Sequence, residues 1–456
     1  MTLERIHAVR SHFESGRTRD LDVRRAALKK LRSAIKRNEE ALLVAMHADM
    51  RKPRFEAYLS DIGLVLAAID EAIANLKEWA APTSAPTPLA IQVAESSIHK
   101  EPLGVVLVIA PWNYPVLLLL GPLVGAVAAG NCVVLKPSEE VPATSAVVEG
   151  IINESFDRDH VCVMLGNGHE VVPALMQGFR FDHVFFTGSG PVGKQVLAQA
   201  APLLVPVTLE LGGKSPAIVD RSADVHVAAK RIAWSKCFNA GQTCIATDHA
   251  FVHTSVMDEF VDHFTRFLRK AYGDDPQQSP HYARIVNDRR FEVVRSYLEQ
   301  GRIGCGGQHD ASERYIAPTL LLDVHPDAPV MKEEIFGPVL PLIPWTEREE
   351  VVAISRRNPF PLASYLFSSD RSMPNWFMER IASGSTCINH CMLHFGNPHL
   401  PFGGVGNSGM GRYHGRYTFD LFSHHRSMVK ASTLIDHGLQ EPPYTKLKEG
   451  ILRRVL

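Results

Sequence analysis

The stretch HVFFTGSGPVG, residues 183–193, joins a short run of apolar, strand-forming residues to a glycine-rich turn and then to a helical pattern. Gly188, Gly190 and Gly193 fall in GxGxxG spacing. In a nucleotide-binding strand–turn–helix unit, such glycines let the backbone approach a pyrophosphate at the helix N-terminus. The spacing alone fits an ordinary tight turn equally well, so its meaning depends on what surrounds it. Upstream lie three more short apolar runs, LGVVLVIA (103–110), CVVLK (132–136) and VCVML (161–165), separated by longer helical stretches. Strands alternating with helices in this way predict a parallel sheet covered on both faces.

Downstream, a second alternating series begins near VTLELGG (207–213) and runs through AIV (217–219), AFVH (250–253), VLPLI (339–343), ASYLF (363–367) and TCIN (386–389). Two α/β domains in succession are expected, with the active site between them. Residues 1–80 read as helical, since Ala27, Leu28, Leu31 and Ile35, then Leu64, Leu66, Ile69 and Ile73, recur at helical spacing. APTSAPTP (81–88) breaks that pattern as a linker or excursion. VLLLLGPLVGAVAAGNCVVL (116–135) is 20 residues without a charge, as long as a membrane span. Gly121, Pro122, Gly130 and Asn131 interrupt it and its end is β-branched, so a buried helix followed by a buried strand is expected instead.

A chain of 456 residues exceeds what one compact core holds. With 48 basic against 49 acidic residues, it offers no field to attract nucleic acid or an anionic membrane. Seven cysteines, an odd count without framework spacing, fit the reduced thiols of a cytoplasmic protein better than disulfides. No HExxH, CxxC or paired Cys/His set marks a metal site. Cys387 and Cys391 are four apart, but SGSTCINHC reads as strand and loop, where that spacing joins nothing. The N-terminal MTLERIHAVRSHF lacks the apolar run of a signal peptide.

Three residues carry chemistry of their own. Cys244, at the end of GQTC (241–244), sets a thiol after a small flexible turn, and thiolate attacks carbonyls well even when only partly ionised. A free cysteine is also an ordinary packing residue. Asn113 in PWNYP (111–115) follows the apolar run LVIA, and its amide could stabilise an oxyanion or merely cap a Pro-flanked turn. Glu210, beside the Gly pair of ELGGKSP (210–216), suits a movable general base or a surface ion pair. Glu210 also stands where the GxGxxG rule expects an acidic ribose ligand, so its two assignments conflict.

PWNYP, LKPSE (135–139), FTGS (186–189), VTLELGGKSP (207–216), GQTC, EEIFGPVLP (333–341) and LPFGGVGNSGMG (400–411) together resemble the aldehyde dehydrogenase superfamily in order and spacing. RIAWSK (231–236), GVGNSGMGRYHG (404–415) and the compact N-terminus resemble its class 3 branch, which includes fatty aldehyde dehydrogenases. The resemblance implies two Rossmann-like parallel-sheet domains plus a small oligomerisation arm. Residues 1–80 and 101–208 would form the NAD(P)-binding domain and 209–420 the catalytic domain. Segments 81–100 and 421–440 would bridge subunits of a homodimer, and 441–456 would be a C-terminal tail.

The same resemblance assigns roles. Cys244 would be the nucleophile, Glu210 the base that activates water, and Asn113, with the Cys244 backbone N–H, the oxyanion holder. Lys136 and Glu139 would bind the adenosine ribose, which frees Glu210 from that task. Trp112, Gly188, Ser189, Gly193, Leu211, Glu334 and Phe336 complete the expected cofactor contacts, with NAD the cofactor and NADP accepted. Tyr114, Trp234, Phe402 and Phe238 would line or adjoin an apolar tunnel for medium- or long-chain aliphatic, or aromatic, aldehydes. Asn389 would help order the site, while His394 and His414 near the tunnel mouth receive no role. The C-terminal KLKEGILRRVL holds no run long enough for a transmembrane anchor. The alternatives are a CoA-acylating or phosphorylating enzyme, which commonly lacks the carboxylate matching Glu210, and a non-catalytic protein that has kept the fold.

Overall fold

The apolar runs pair into one sheet. In the computed structural model, which describes residues 3–456, Val105–Ile109, Cys132–Lys136, Val161–Val163 and His183–Thr187 are buried along their whole length. The sheet order is Gly409–Met410, Val207–Glu210, His183–Thr187, Val105–Ile109, Cys132–Lys136, Val161–Val163, with only the 409–410 edge antiparallel. Side chains alternate as the pleat dictates. Val105, Leu107 and Ile109 share a core with Ile6 and Val9, while Val106 and Val108 share one with Leu28, Leu119 and Leu123. Met1 and Thr2, the start of the expected 1–80 segment and of the leader-free reading, lie outside the described residues.

The charge-free stretch 116–135 forms the helix Leu117–Ala129, closed by Gly130 at φ +96°, and then the buried strand Cys132–Lys136. Among the described residues no helix is long and apolar enough to cross a membrane.

A second sheet runs Arg302–Cys305, Thr319–Leu322, Val339–Trp345, His249–His253, Pro216–Val219, Ala363–Phe367, Ser385–Ile388, again parallel except at its first edge. A third, antiparallel sheet pairs Thr83–Ala85 with Ala94–Pro102, and the latter with Ser423–Ala431 in a ladder from Ser423↔Pro102 to Ala431↔Ala94. APTSAPTP therefore contains an edge strand rather than a plain linker.

Backbone pairing moves the expected domain limits. The 208/209 boundary cuts through the strand Val207–Glu210, whose last residues pair with Thr187 on one side and Gly409 on the other. The segment 209–420 thus returns to the first sheet at 409–410, and Thr418 of the helix Gly415–Leu421 packs against Gly125. Residues 441–456 are more than a tail: Lys446–Val455 is an exposed helix capped by the Thr445 hydroxyl.

Candidate active site

Cys244 sits after a backbone turn that sequence alone would not favour. The helix Val225–Cys237 ends, and Asn239, Ala240 and Gly241 follow at φ +53°, +52° and +73°. Two non-glycine residues in the left-handed region store strain of about 1–3 kcal/mol each and persist only where the surroundings fix them. A Cβ on Gly241 would run into the main chain at Gly337 and Lys236, so this position requires glycine.

Gln242 does much of the fixing. Its amide donates to the carbonyls of Asn239 (3.0 Å) and Arg284 (2.9 Å), and its Oε1 accepts from the Val286 N–H at 3.0 Å. Its main-chain oxygen accepts from Nδ2 of Asn113 at 3.0 Å and of Asn239 at 3.2 Å. Asn113, 2 % exposed, commits one N–H of its amide to the Cys244 loop, and its second N–H has no hydrogen-bond partner among the described residues. Tyr114 bonds through its hydroxyl to Thr243, the residue before Cys244.

Burial, then the nearby Glu334 and Glu210 carboxyls, push the Cys244 thiol above its ordinary pKa, against the N–H groups of Cys244 and Ile245 that favour thiolate. Glu210, at the end of Val207–Glu210, is buried with neither carboxyl oxygen hydrogen-bonded, and burial alone raises its pKa well above the carboxylate range. It is not a surface ion pair; it lines the groove with Cys244 and its charge acts on that thiol.

Glu334 comes from the loop after Met331. Burial first, then the charge of Asp248, raise it to about 8, against a hydrogen bond from the Gly213 N–H. A Cβ on Gly212 would overlap the Glu334 carboxyl, so that glycine makes room for it. The loop is anchored by a buried ion pair between Lys214 and Asp248. Lys214 also donates to the carbonyls of Val330 and Glu333, both at 2.8 Å, and Asp248 accepts from the Ile335 N–H at 2.9 Å. Phe336, at φ +46°, meets Trp112 edge-on with centroids 5.4 Å apart.

From Cys244 a groove of about 830 Å³ leads along the C-terminal ends of the first sheet. It is lined by Asn113, Glu210, Glu334, Phe336, Trp112, Leu211, Gly188, Ser189, Lys136 and Glu139. Gly193 lies beneath, where a Cβ would press on Leu211 at 3.0 Å. Ser189 caps the helix Gly190–Ala200 without a side-chain hydrogen bond, leaving first-turn N–H groups to face the groove. Lys136 donates to Glu139 at 3.1 Å, and the Gly168 N–H donates to the same carboxyl at 2.8 Å. Burial opposes ionisation of Glu139, but these donors outweigh it and hold the carboxyl below its usual range.

Trp234, Phe402 and Tyr114 do not line this groove. Phe402 is buried between His394 and His414 in a stack with centroids 6.0 and 5.1 Å away, and Trp234 packs on Phe238 and His390. Burial lowers His394 to about 4; burial, with His394 beside it, lowers His414 to about 3, so both are neutral imidazoles. Asn389, at φ +58°, exchanges side-chain hydrogen bonds with the Ser368 backbone.

Sequence reasoning passed over Lys214, Gln242, Asn239 and Asp248. Lys214 and Gln242 stand inside quoted motifs, ELGGKSP and GQTC, and that membership was their available signal; Asn239 and Asp248 had none.

The aldehyde dehydrogenase family model matches residues 3–428. The chain is 44% identical over 443 residues to 4,4'-diaponeurosporen-aldehyde dehydrogenase of Staphylococcus aureus, covering 97% of this chain and 96% of that one. It is 44% identical over 441 residues to aldehyde dehydrogenase family 3 member B2 of Mus musculus, covering 96% and 92%. A solved substrate-bound Staphylococcus aureus AldH superposes with TM-score 0.97 at 43% identity over 99% of both chains. An indole-3-acetaldehyde dehydrogenase solved with NAD+ superposes with TM-score 0.85 at 29% identity over 94% of this chain and 88% of that one. With this likeness and the groove ending at a thiol, the chain belongs to the aldehyde dehydrogenase family, on its family 3 branch, and is an oxidoreductase that turns aldehydes into carboxylic acids.

Proposed function

We propose that Cys244 is the nucleophile of this reaction, Asn113 its oxyanion donor and Glu210 the base that hydrolyses the thioester. The observation that carries the reading is a buried, partnerless Glu210 carboxyl in the same groove as the Cys244 thiol and close enough to act on its charge. Such a group costs stability, and groups of this kind cluster at active sites. The Cys244 thiolate, formed by loss of the S–H proton to a water in the groove, attacks the aldehyde carbon, and the resulting oxyanion takes the second N–H of Asn113 and the main-chain N–H of Cys244. Loss of hydride leaves a thioester on Cys244. Glu210 in its ionised form, a stronger base than an exposed carboxylate because burial raises its pKa, takes a proton from the water that attacks this thioester, and the departing thiolate is freed for the next cycle. Retention of a carboxyl at this position supports hydrolysis over transfer to CoA or phosphate.

The groove fits a nicotinamide dinucleotide. Open first-turn N–H groups behind Ser189 would meet the pyrophosphate with Gly188, over a floor formed by Gly193 and Leu211. Lys136 and Glu139 would hold the adenosine ribose, and Glu334, whose Oε1 has no partner, would hold the other ribose, with Phe336 and Trp112 against the ring. When bound, this group supplies the hydride acceptor. NAD is preferred over NADP because the ionised Glu139 repels a 2′-phosphate, with Lys136 partly offsetting that repulsion.

Medium- or long-chain aliphatic, or aromatic, aldehydes are the proposed substrates, a reading supported by the likeness to a 4,4'-diaponeurosporen-aldehyde dehydrogenase and to a family 3 member B2 enzyme. The projecting third sheet, with Leu89, Val93 and Val429 exposed, supports a homodimer. An odd set of seven thiols supports the reducing cytoplasm.

Replacing Cys244 with Ser tests the assignment. Aldehyde-dependent NADH formation should vanish while cofactor affinity persists; substantial residual turnover would refute it.

A further inference from the structure

The chain buries three ionisable side chains, Lys52, Glu56 and Asp61, behind the two loops that carry Asn113 and Cys244. Lys52 and Asp61 are fully buried and form an ion pair at 2.6 Å. Every donor direction of the Lys52 ammonium is used: Asp61 takes one, the main-chain oxygen of Asn113 another at 3.2 Å, and the Tyr114 ring, 4.0 Å from Nζ, the third. The other oxygen of Asp61 accepts from the N–H groups of Val116 and Leu117 at 3.1 and 3.0 Å. Asp61 thereby caps the turn that follows Asn113. It does so from Tyr58–Ile62, where the helix widens into a π turn, a local departure frequent at functional sites.

Glu56, one turn earlier, accepts from the main-chain N–H of Asn239 at 2.9 Å and so holds the left-handed turn before Cys244. Asn239 closes the frame, donating to the Asn113 carbonyl at 3.0 Å and to the Gln242 carbonyl at 3.2 Å. The Asn113 carbonyl is therefore clamped from two sides while its side chain spans to Gln242. An ion pair out of water is a poor source of stability, because apolar residues of similar volume serve as well or better. What it does provide is direction, and here that direction bears on the one amide with an N–H to spare.

We propose that Lys52 is a positioning residue of the aldehyde-oxidising site: braced by Asp61, it holds the main chain of Asn113, jointly with Asn239, so that the Asn113 amide presents its free N–H to the oxyanion. This rests on the oxyanion role given above to Asn113. Lys52 touches neither Cys244 nor the groove; it reaches the site through the Asn113 main chain and the Tyr114 ring.

A double-mutant cycle on the full-length enzyme tests this. Lys52→Met keeps the length of the side chain and removes the donor. It should lower kcat about tenfold to a hundredfold, the scale of a misplaced catalytic group, and leave NAD+ affinity by fluorescence titration unchanged. In an Asn113→Ala background the same change should cost nothing further in kcat. A merely structural lysine would instead cost the same in both backgrounds, and that result overturns the proposal, as does a Lys52→Met enzyme with wild-type kcat. Should Lys52→Met fail to fold, Asn239→Gly tolerates the positive φ, deletes the second clamp and must show the same non-additivity. If Asn113→Ala by itself retains wild-type turnover, the oxyanion assignment fails, a result separable from failure of the clamp.

Discussion

Nδ2 of Asn113 donates to the main-chain oxygen of Gln242 at 3.0 Å, two residues before Cys244, so the proposed oxyanion donor and the proposed nucleophile are tied to each other by one hydrogen bond. Asn113 arrives from the end of the strand Val105–Ile109 and Cys244 from beyond the helix Val225–Cys237.

Asn113→Ala should therefore lower kcat by about 10²–10³-fold, the range for loss of one preorganised oxyanion donor. The effect belongs to the transition state, so KM for the cofactor should hardly move. Steady-state kinetics with a saturating aldehyde decide it, and an unchanged kcat would remove Asn113 from the chemistry.

The pH dependence of Cys244 alkylation follows from its surroundings. Burial, Glu334 and Glu210 raise the thiol pKa, so in the cofactor-free enzyme the reactive thiolate grows only as pH rises beyond the ordinary thiol range. Iodoacetamide labelling should climb with pH without levelling near neutrality. Glu210→Gln deletes one opposing carboxyl and should move the curve to lower pH. A plateau below about pH 7 in the parent enzyme would contradict this electrostatic picture.

Asp248→Asn should destabilise the fold by about 3–5 kcal/mol, because it leaves the Lys214 ammonium buried without its counter-charge. Burial opposes ionisation of Asp248, but Lys214, the His249 hydrogen bond and Lys236 outweigh it and depress its pKa. The stability it contributes is therefore present above the ordinary carboxylate pKa and lost only as pH falls through the depressed folded value. Between neutral pH and about pH 5, denaturation midpoints of parent and variant should stay equally far apart. A variant as stable as the parent would show the pair to be dispensable.

The sheets were legible because strands buried on both faces must be apolar along their length, as in Val105–Ile109 and Cys132–Lys136. The charge-free 116–135 stretch was readable as helix plus strand through Gly130. The edge strand Gly409–Met410 was not, since two residues carry no periodicity and their pairing with Leu209 and Glu210 is purely backbone. The same holds at the site. Cys244, Glu210 and Asn113 have chemistry that names them, and motif order told which reading to keep. Lys52, Asp61 and Asn239 act through contacts with the main chain of residues 55–126 positions away in sequence, and a linear pattern does not record those.

If acid forms through a thioester on Cys244 that Glu210 clears, the Glu210→Gln enzyme exposed to aldehyde and NAD+ should hold that thioester, and its mass decides the matter. About one equivalent of NADH per site should form in a burst, then slow turnover, with the acyl mass mapped to the Cys244 peptide. Wild-type turnover with no mass added at Cys244 would contradict it.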